Sequence, residues 1–204
     1  IVKYYKNATE GFNAIESETK NLVFLSNLDH FYFPKVQNVN NKYLIMSYFE
    51  NNELKPEEIE DDLLNAITNL HKKRSDDFGF DFDTQIGGLK QINSKKTNWV
   101  DFYREQRLGY IFNIINSNCP MDTSTNNQIE KLITNLYNFI PEKPNASLLH
   151  GDLWEGNILF YDKKFVGFID PGSFYGHNEL EIAYLTWFNP NFIKNGFLNK
   201  YNEI

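Results

Sequence analysis

The segment from Leu149 to Asp170 constrains this chain more than any other part of its sequence. It reads Leu-His-Gly-Asp-Leu-Trp-Glu-Gly-Asn-Ile-Leu-Phe, then a polar stretch, then Phe-Val-Gly-Phe-Ile-Asp. Ile158-Leu159-Phe160 and Phe165 to Ile169 are short apolar runs on either side of Asp162-Lys163-Lys164, the pattern of a β-hairpin. A two-residue turn at Lys163-Lys164 would pair Asp162 with Phe165 and set Asn157 opposite Asp170. Residues so opposed have Cα atoms about 4.5 to 5.5 Å apart. Lys-Lys is a poor choice for a type I′ turn, where Asn-Gly is the usual pair, and a longer loop shifts this register.

An amide oxygen and a carboxylate converging on one point suit a hard cation. Mg²⁺ accepts one or two protein oxygens and leaves its other positions to water and phosphate. Asp152 lies outside this pair, on a loop closed by Gly156, where it can accept the proton of an attacking hydroxyl. The competing reading is a structural loop with a capping Asp. His-x-Asp-x4-Asn followed by an apolar hairpin and Asp is a longer and more ordered signal than that requires.

Composition narrows the class. The 204 residues are 41% hydrophobic and 16% aromatic, enough for one large domain or two lobes of unequal size. A formal net charge of -7 without a Lys/Arg cluster argues against nucleic acid as a partner. No apolar run approaches the length of a membrane span and no amino-terminal segment reads as a signal peptide, so the expectation is a cytoplasmic protein with no membrane partner. Cys119, the one cysteine, has no activating base beside it and is read as inert. The chain opens in strand-like sequence without an initiator Met and ends as abruptly, which reads as a fragment.

Along the chain, Ile1 to Tyr5 alternates as a strand with Ile1, Lys3 and Tyr5 on one face. A helix over about Phe12 to Leu28 carries Ile15, Glu18, Leu22 and Leu25 on one stripe. A carboxylate facing a core needs a cation, and Lys3 is the nearest candidate; a solvated Lys3 and a frayed Glu18 are the alternative. Phe33 to Val36 and Lys42 to Phe49 read as a strand pair joined through Asn38 to Asn41. A polar link from Asn51 to Pro56 precedes a helix with Ile59, Leu63, Ile67 and Leu70 on one face and His71 at its end, a histidine of the packed, hydrogen-bonded kind. Phe78 to Gln91 reads as an aromatic loop region, Trp99 to Asn116 and Ile129 to Ile140 as helices, Asp170 to His177 as a loop, and Glu179 to Phe188 as a helix.

Four segments together resemble one family, the fructosamine or ketosamine (ribulosamine) 3-kinases, relatives of the aminoglycoside and choline phosphotransferases. They are Leu148 to Asn157, Ile169 to Ala183, Phe78-Gly79-Phe80 and Trp99 to Leu108. The Trp after His-Gly-Asp-Leu and the Tyr-Gly-His run separate this branch from the aminoglycoside kinases. The resemblance implies an α+β, protein-kinase-like two-lobe fold, with residues 1–50 a partial amino-terminal lobe and 51–204 a helical lobe carrying the catalytic loop. It implies ATP and Mg²⁺ as cofactors, Asp152 as catalytic base, Asn157 and Asp170 as metal ligands, Lys3 as the phosphate-binding lysine and Glu18 as its partner. Ser47, Tyr48 and Phe49 become the hinge that offers backbone groups to adenine, and Glu181 braces the catalytic loop from below. Tyr175 and His177 take a structural or substrate-wall role, and Trp154 stacks on a sugar or packs on the lobe.

The implied reaction is phosphorylation of the 3-hydroxyl of a ketosamine, free or on a glycated protein lysine, which undoes the adduct. The alternatives are a small-molecule kinase of the aminoglycoside or choline type and a non-catalytic nucleotide-binding piece. Family members carry a strand pair with a glycine-rich turn before the lysine strand and further helices at the end. This sequence has neither, so it is expected to hold nucleotide weakly.

Overall fold

A computed structural model of the chain describes residues 1–5, 12–29, 31–52 and 60–203. Pro56 and Ile59, assigned above to a link and a helix face, lie outside the described residues. Strand β1 (Val2–Tyr4) is followed by helix α1 (Ala14–Leu28) and strands β2 (Val36–Val39) and β3 (Tyr43–Met46), and the three strands form one antiparallel sheet in the order β1-β3-β2. Helix α1 starts where Asn13 accepts the Glu16 N–H, and it buries Ile15, Glu18, Asn21, Leu22 and Leu25. Its face closes a small core with Leu44 and Met46 of β3. Leu25 belongs instead to the main core, so α1 is a wall shared by both.

The larger part of the chain begins with α2 (Glu60–His71), β4 (Arg74–Ser75), the hairpin β5 (Thr84–Ile86) and β6 (Leu89–Gln91), α3 (Trp99–Tyr103), α4 (Gly109–Asn118) and α5 (Thr123–Thr134). Helices α3 and α4 are one rod interrupted by a π turn at Arg104–Leu108. Next come β7 (Ala146–Leu149), the hairpin β8 (Ile158–Tyr161) and β9 (Lys164–Phe168), β10 (Phe174–His177), α6 (Asn178–Tyr184) and α7 (Asn195–Asn202). Every residue of β7 is buried, and it runs between β10 and β4. A short, fully buried central strand gives a rigid exit point for the loop beginning at His150. Among the described residues no helix is long and apolar enough to cross a membrane.

Several expectations are corrected. The β8–β9 turn is Asp162-Lys163, not Lys163-Lys164: both residues adopt positive φ, 46° and 62°, and Tyr161 pairs with Lys164. The register then shifts between Leu159 and Phe160, so that Leu159 faces Gly167 and Ile158 faces Phe168. This β-bulge puts Asn157 opposite Ile169, whose N–H donates to the Asn157 carbonyl at 3.0 Å, and Asp170 falls one residue beyond. Phe174 to His177 is a strand and not a loop, because its residues find a full antiparallel partner in β7. The aromatic loop region contains the β5–β6 hairpin, and β2 begins at Val36, with Phe33 turned into the main core. Helix α5 starts earlier than the apolar pattern indicates, at a cap where Asp122 accepts the Thr125 N–H, and it stops at Thr134.

Two non-glycine residues in left-handed backbone cost about 1 kcal/mol each. The double change Asp162→Asn with Lys163→Gly should therefore stabilise the hairpin by about 1 kcal/mol and raise the melting temperature by about 3 °C in a thermal melt. An unchanged or lowered midpoint would show that the turn does not carry this strain.

Candidate active site

The loop leaving β7 is fixed by backbone hydrogen bonds before any of its side chains act. The His150 carbonyl accepts the Gly172 N–H at 2.9 Å and the Ser173 hydroxyl at 3.2 Å, which ties the catalytic loop to the segment after β9. Gly151 has φ 86°, and a Cβ there would collide with the Gly172 carbonyl oxygen, so this approach requires glycine. The His150 ring is fully buried between Phe33 and Phe168. Burial holds its pKa below the usual histidine value despite nearby Glu181 and Asp170, and the neutral ring accepts the Asp152 N–H on Nδ1 at 3.3 Å.

Beneath the loop lies Glu181, 2% exposed on α6. Its carboxylate accepts the N–H of His150 at 3.0 Å and of Gly151 at 2.7 Å, and pairs with His71 Nε2 at 2.8 Å. The other His71 nitrogen meets the Tyr201 hydroxyl at 2.7 Å. Burial pushes the Glu181 carboxyl up, but the bond and charge of His71, with His150 and the Gly151 N–H, outweigh it and hold the group below the usual glutamate range. His71 is the packed, hydrogen-bonded residue expected.

The side chains of Asp152, Asn157 and Asp170 line one cleft of about 420 Å³, together with Lys3. Asn157 Nδ2 donates to the Asp152 carbonyl at 2.7 Å and to its carboxylate at 3.1 Å, so its Oδ1 remains as an acceptor. Asp170 leaves the strand in left-handed backbone, φ 57°, and still reaches the cleft despite the shifted register. Lys3 Nζ donates to Glu18 at 2.6 Å and also to Asp170, while Glu18 is 1% exposed and accepts further bonds from Tyr5 and from Gln85 at 3.1 Å. Burial alone would depress the Lys3 amine; the charges of Glu18 and Asp170 more than offset this and raise it. Burial raises the Asp152 carboxyl, and Asp170 and Glu181 add to the effect, against the bond from Asn157. A partly buried carboxylate with raised proton affinity is suited to accept a proton.

Not every expected residue joins the cleft. Ser47, Tyr48 and Phe49 follow β3 outside it; the Ser47 N–H donates to the Lys35 carbonyl, and the Ser47 hydroxyl oxygen accepts the Lys35 N–H. Tyr175 exchanges backbone bonds with Gly79 and packs against Phe80, and His177 packs against Trp99; neither lines the cleft. Trp154 does line the cleft, lying over Gly156 with its edge to Phe188. The β5–β6 hairpin was missed as part of the site: Gln85, Ile86 and the turn Gly87-Gly88 form the cleft's far wall. The signal available was a Gly-Gly pair, in left-handed backbone here, between two short alternating runs. A second, mostly apolar cavity of about 480 Å³ adjoins the first, sharing Ile86; Gly151 lines it while Asp152 lines the cleft.

Because the Glu181 pKa is lowered on folding, its contribution to stability is present above the usual glutamate range and is lost as pH falls through its folded value. Glu181→Gln keeps an acceptor but not the charge, and should cost about 3 kcal/mol at neutral pH, on the order of 5 to 10 °C in melting temperature. The loss should shrink in melts run at progressively acid pH, and a pH-independent loss would contradict the charged brace.

Comparison with known proteins gives the family and the fold. Residues 2–204 match the fructosamine kinase family. The chloroplastic protein-ribulosamine 3-kinase of Arabidopsis thaliana is 33% identical over 150 residues, covering 71% of this chain and 44% of that protein. The chain spans about half the length of the curated relatives it matches. A crystal structure from Thermobifida fusca YX-ER1, described as a candidate fructosamine-3-kinase, superposes with a TM-score of 0.84 at 24% identity, over 99% of this chain and 69% of that one. A ternary complex of streptomycin, ATP and APH(2")-IIa superposes with a TM-score of 0.58 at 20% identity, over 88% and 62%. The α+β arrangement is thus the protein-kinase-like fold expected, and the chain belongs to the fructosamine kinase family.

Proposed function

We propose that this protein transfers the γ-phosphoryl group of ATP to the 3-hydroxyl of a ketosamine. The observation that carries the reading is the meeting of Asp152, Asn157, Asp170 and Lys3 in one cleft beside an apolar cavity large enough for a sugar adduct. On this reading residues 1–50 and 51–204 act as two lobes, with nucleotide between them and the acceptor reaching Asp152 from the second cavity.

The residues present fit Mg²⁺. Asn157 Oδ1 and the Asp170 carboxylate would hold it, and when bound it neutralises charge on the triphosphate. Among the described residues no cluster of three acidic, His or Cys side chains could hold a metal, which suits an ion that takes most of its ligands from phosphate and water. Asp152 accepts the proton as the hydroxyl O–H breaks. The acceptor oxygen bonds to the γ-phosphorus, the bond to the bridging oxygen breaks, and ADP leaves with that electron pair. Lys3, held by Glu18, turns from Asp170 to the phosphates and fixes them in line. Glu181 keeps the loop backbone still, so that Asp152 is not displaced when charge builds up.

A coupled ADP-release assay across ketosamines, free sugars and aminoglycosides tests the reading; turnover confined to another acceptor class would reject it. Asp152→Asn should lower kcat about 100- to 10,000-fold with nucleotide affinity little changed. The raised Asp152 carboxyl must be ionised to act, so the wild-type rate should fall on acidification at a pH above the ordinary aspartate range. A rate flat through that interval would remove Asp152 as the base.

A further inference from the structure

The cavity beyond Gly151 is mostly apolar, walled by residues such as Ile86, Leu149, Phe174 and Leu180, yet two cations stand in its lining, Lys90, which pairs with Asp83, and Arg107. A buried guanidinium normally faces a carboxylate. Arg107 makes no ion pair with an Asp or Glu among the described residues: Nη1 donates to the carbonyls of Ile92 at 2.6 Å and Gln106 at 2.9 Å, and Nη2 donates to Asn93 Oδ1 at 2.7 Å. Asp83 feels its charge, but that carboxylate is engaged by Lys90 at 2.8 Å and by the Asn93 N–H at 2.9 Å. The rings of Phe102 and Phe174 cover the guanidinium at 4.6 and 4.1 Å from their centroids.

What remains on Arg107 is a buried Nε–H without a partner and one hydrogen of Nη2. Desolvation pushes its pKa down to about 9, so it remains a cation at neutral pH. It sits in the π turn of the α3–α4 rod, where Gly109 passes so close to the Arg104 carbonyl oxygen that a Cβ would lie 2.7 Å from it. Such turns recur at functional sites because they re-aim one side chain without ending the helix. Tyr103 and Tyr184 share the cavity wall; burial raises both phenols, Tyr184 to about 12, so each stays a hydroxyl donor. The cavity's one buried carboxylate, Glu181, is already engaged by His150, Gly151 and His71.

We infer that Arg107 binds a carboxylate on the acceptor, and that the site prefers ketosamines of free amino acids to ketosamines of protein lysines. This rests on the ketosamine kinase reading and adds to it the acceptor's far end. A sugar hydroxyl at Asp152 leaves the amine portion directed past Gly151 and Ile86 into this cavity, and a free amino acid carries there the anion that Arg107 lacks. A lysine within a polypeptide has its carboxyl group in an amide and offers no such charge.

The test compares the ketosamine of Nα-acetyl-lysine with that of Nα-acetyl-lysine amide, which differ only in the free carboxylate, in steady-state turnover by the wild type and by Arg107→Gln. With the wild type, the free carboxylate should raise kcat/KM by about 10- to 100-fold, mainly through KM, as a charge-assisted bidentate contact does. In Arg107→Gln the two substrates should become equivalent, with the amide used within about threefold of its wild-type rate. Equal use of both by the wild type, or preference retained in the variant, would overturn the assignment while leaving the kinase reading intact. Turnover of neither substrate, with another acceptor phosphorylated, would overturn both. The wild-type comparison involves no substitution, so a variant that folds poorly does not rescue the idea.

Discussion

The geometry of the candidate site depends on one buried carboxylate. Taking an ionised glutamate out of water costs several kcal/mol, and only good hydrogen bonds offset that. Glu181 receives them from the backbone of His150 and Gly151 and from His71, groups that belong to the loop after β7 and the end of α2. The same atoms that stabilise the charge therefore fix the loop's position relative to two helices. Gly151 could not adopt φ 86° cheaply with any other side chain, and the Glu181 contact to its N–H holds it there. Asp152 begins one residue later, so its carboxylate inherits a position set by the bonds of Glu181 to the loop backbone.

A second charge network joins the small sheet to the hairpin. Lys3 on β1 reaches both Glu18 of α1 and Asp170 beyond β9. The two partners differ in environment: Glu18 is 1% exposed, whereas the Asp170 side chain is 43% exposed. A desolvated pair is hard to break without orphaning a buried charge, whereas an exposed one is weak and exchangeable. Lys3 is thus held firmly on the Glu18 side and loosely on the Asp170 side. On the proposed reading that asymmetry lets an incoming phosphate take the place of Asp170 while the lysine keeps its bearing, and it frees the Asp170 carboxylate for the metal in the same step.

Much of this was legible in the sequence because it rested on residue type and spacing. Glu18 on an otherwise apolar stripe required a cation, and Lys3 supplies it; Asp152, Asn157 and Asp170 do line one cleft. The hairpin register was not legible. It depends on Asp162 and Lys163 accepting left-handed backbone and on a bulge, and neither residue is a usual signal for that. Strand β10 was hidden because Phe174-Tyr175-Gly176-His177 is short and its extended form is stabilised by pairing with β7, a contact distant in sequence. Arg107 was passed over for a similar reason: in a helix with alternating charges it looks solvated, and only packing shows that Phe102 and Phe174 cover it.

On the proposed reading the two cavities give the chemistry a direction. Lys3 lies in the cleft, Arg107 and Lys90 line the apolar cavity, and of two consecutive residues Gly151 lines the cavity and Asp152 the cleft. A cation exposed to an apolar pocket has a far larger effect than one in water, because little solvent screens it. On the proposed reading, with Lys3 on one side and Arg107 and Lys90 on the other, the phosphate end and the carboxylate end of the reacting pair are drawn apart, and the sugar between them is left beside Asp152. An acceptor bound the other way round would bring its anion toward Asp152 and the triphosphate, where repulsion opposes it. Charge placement would then help to orient the acceptor, with Trp154 at the cleft wall placed to cover the ring.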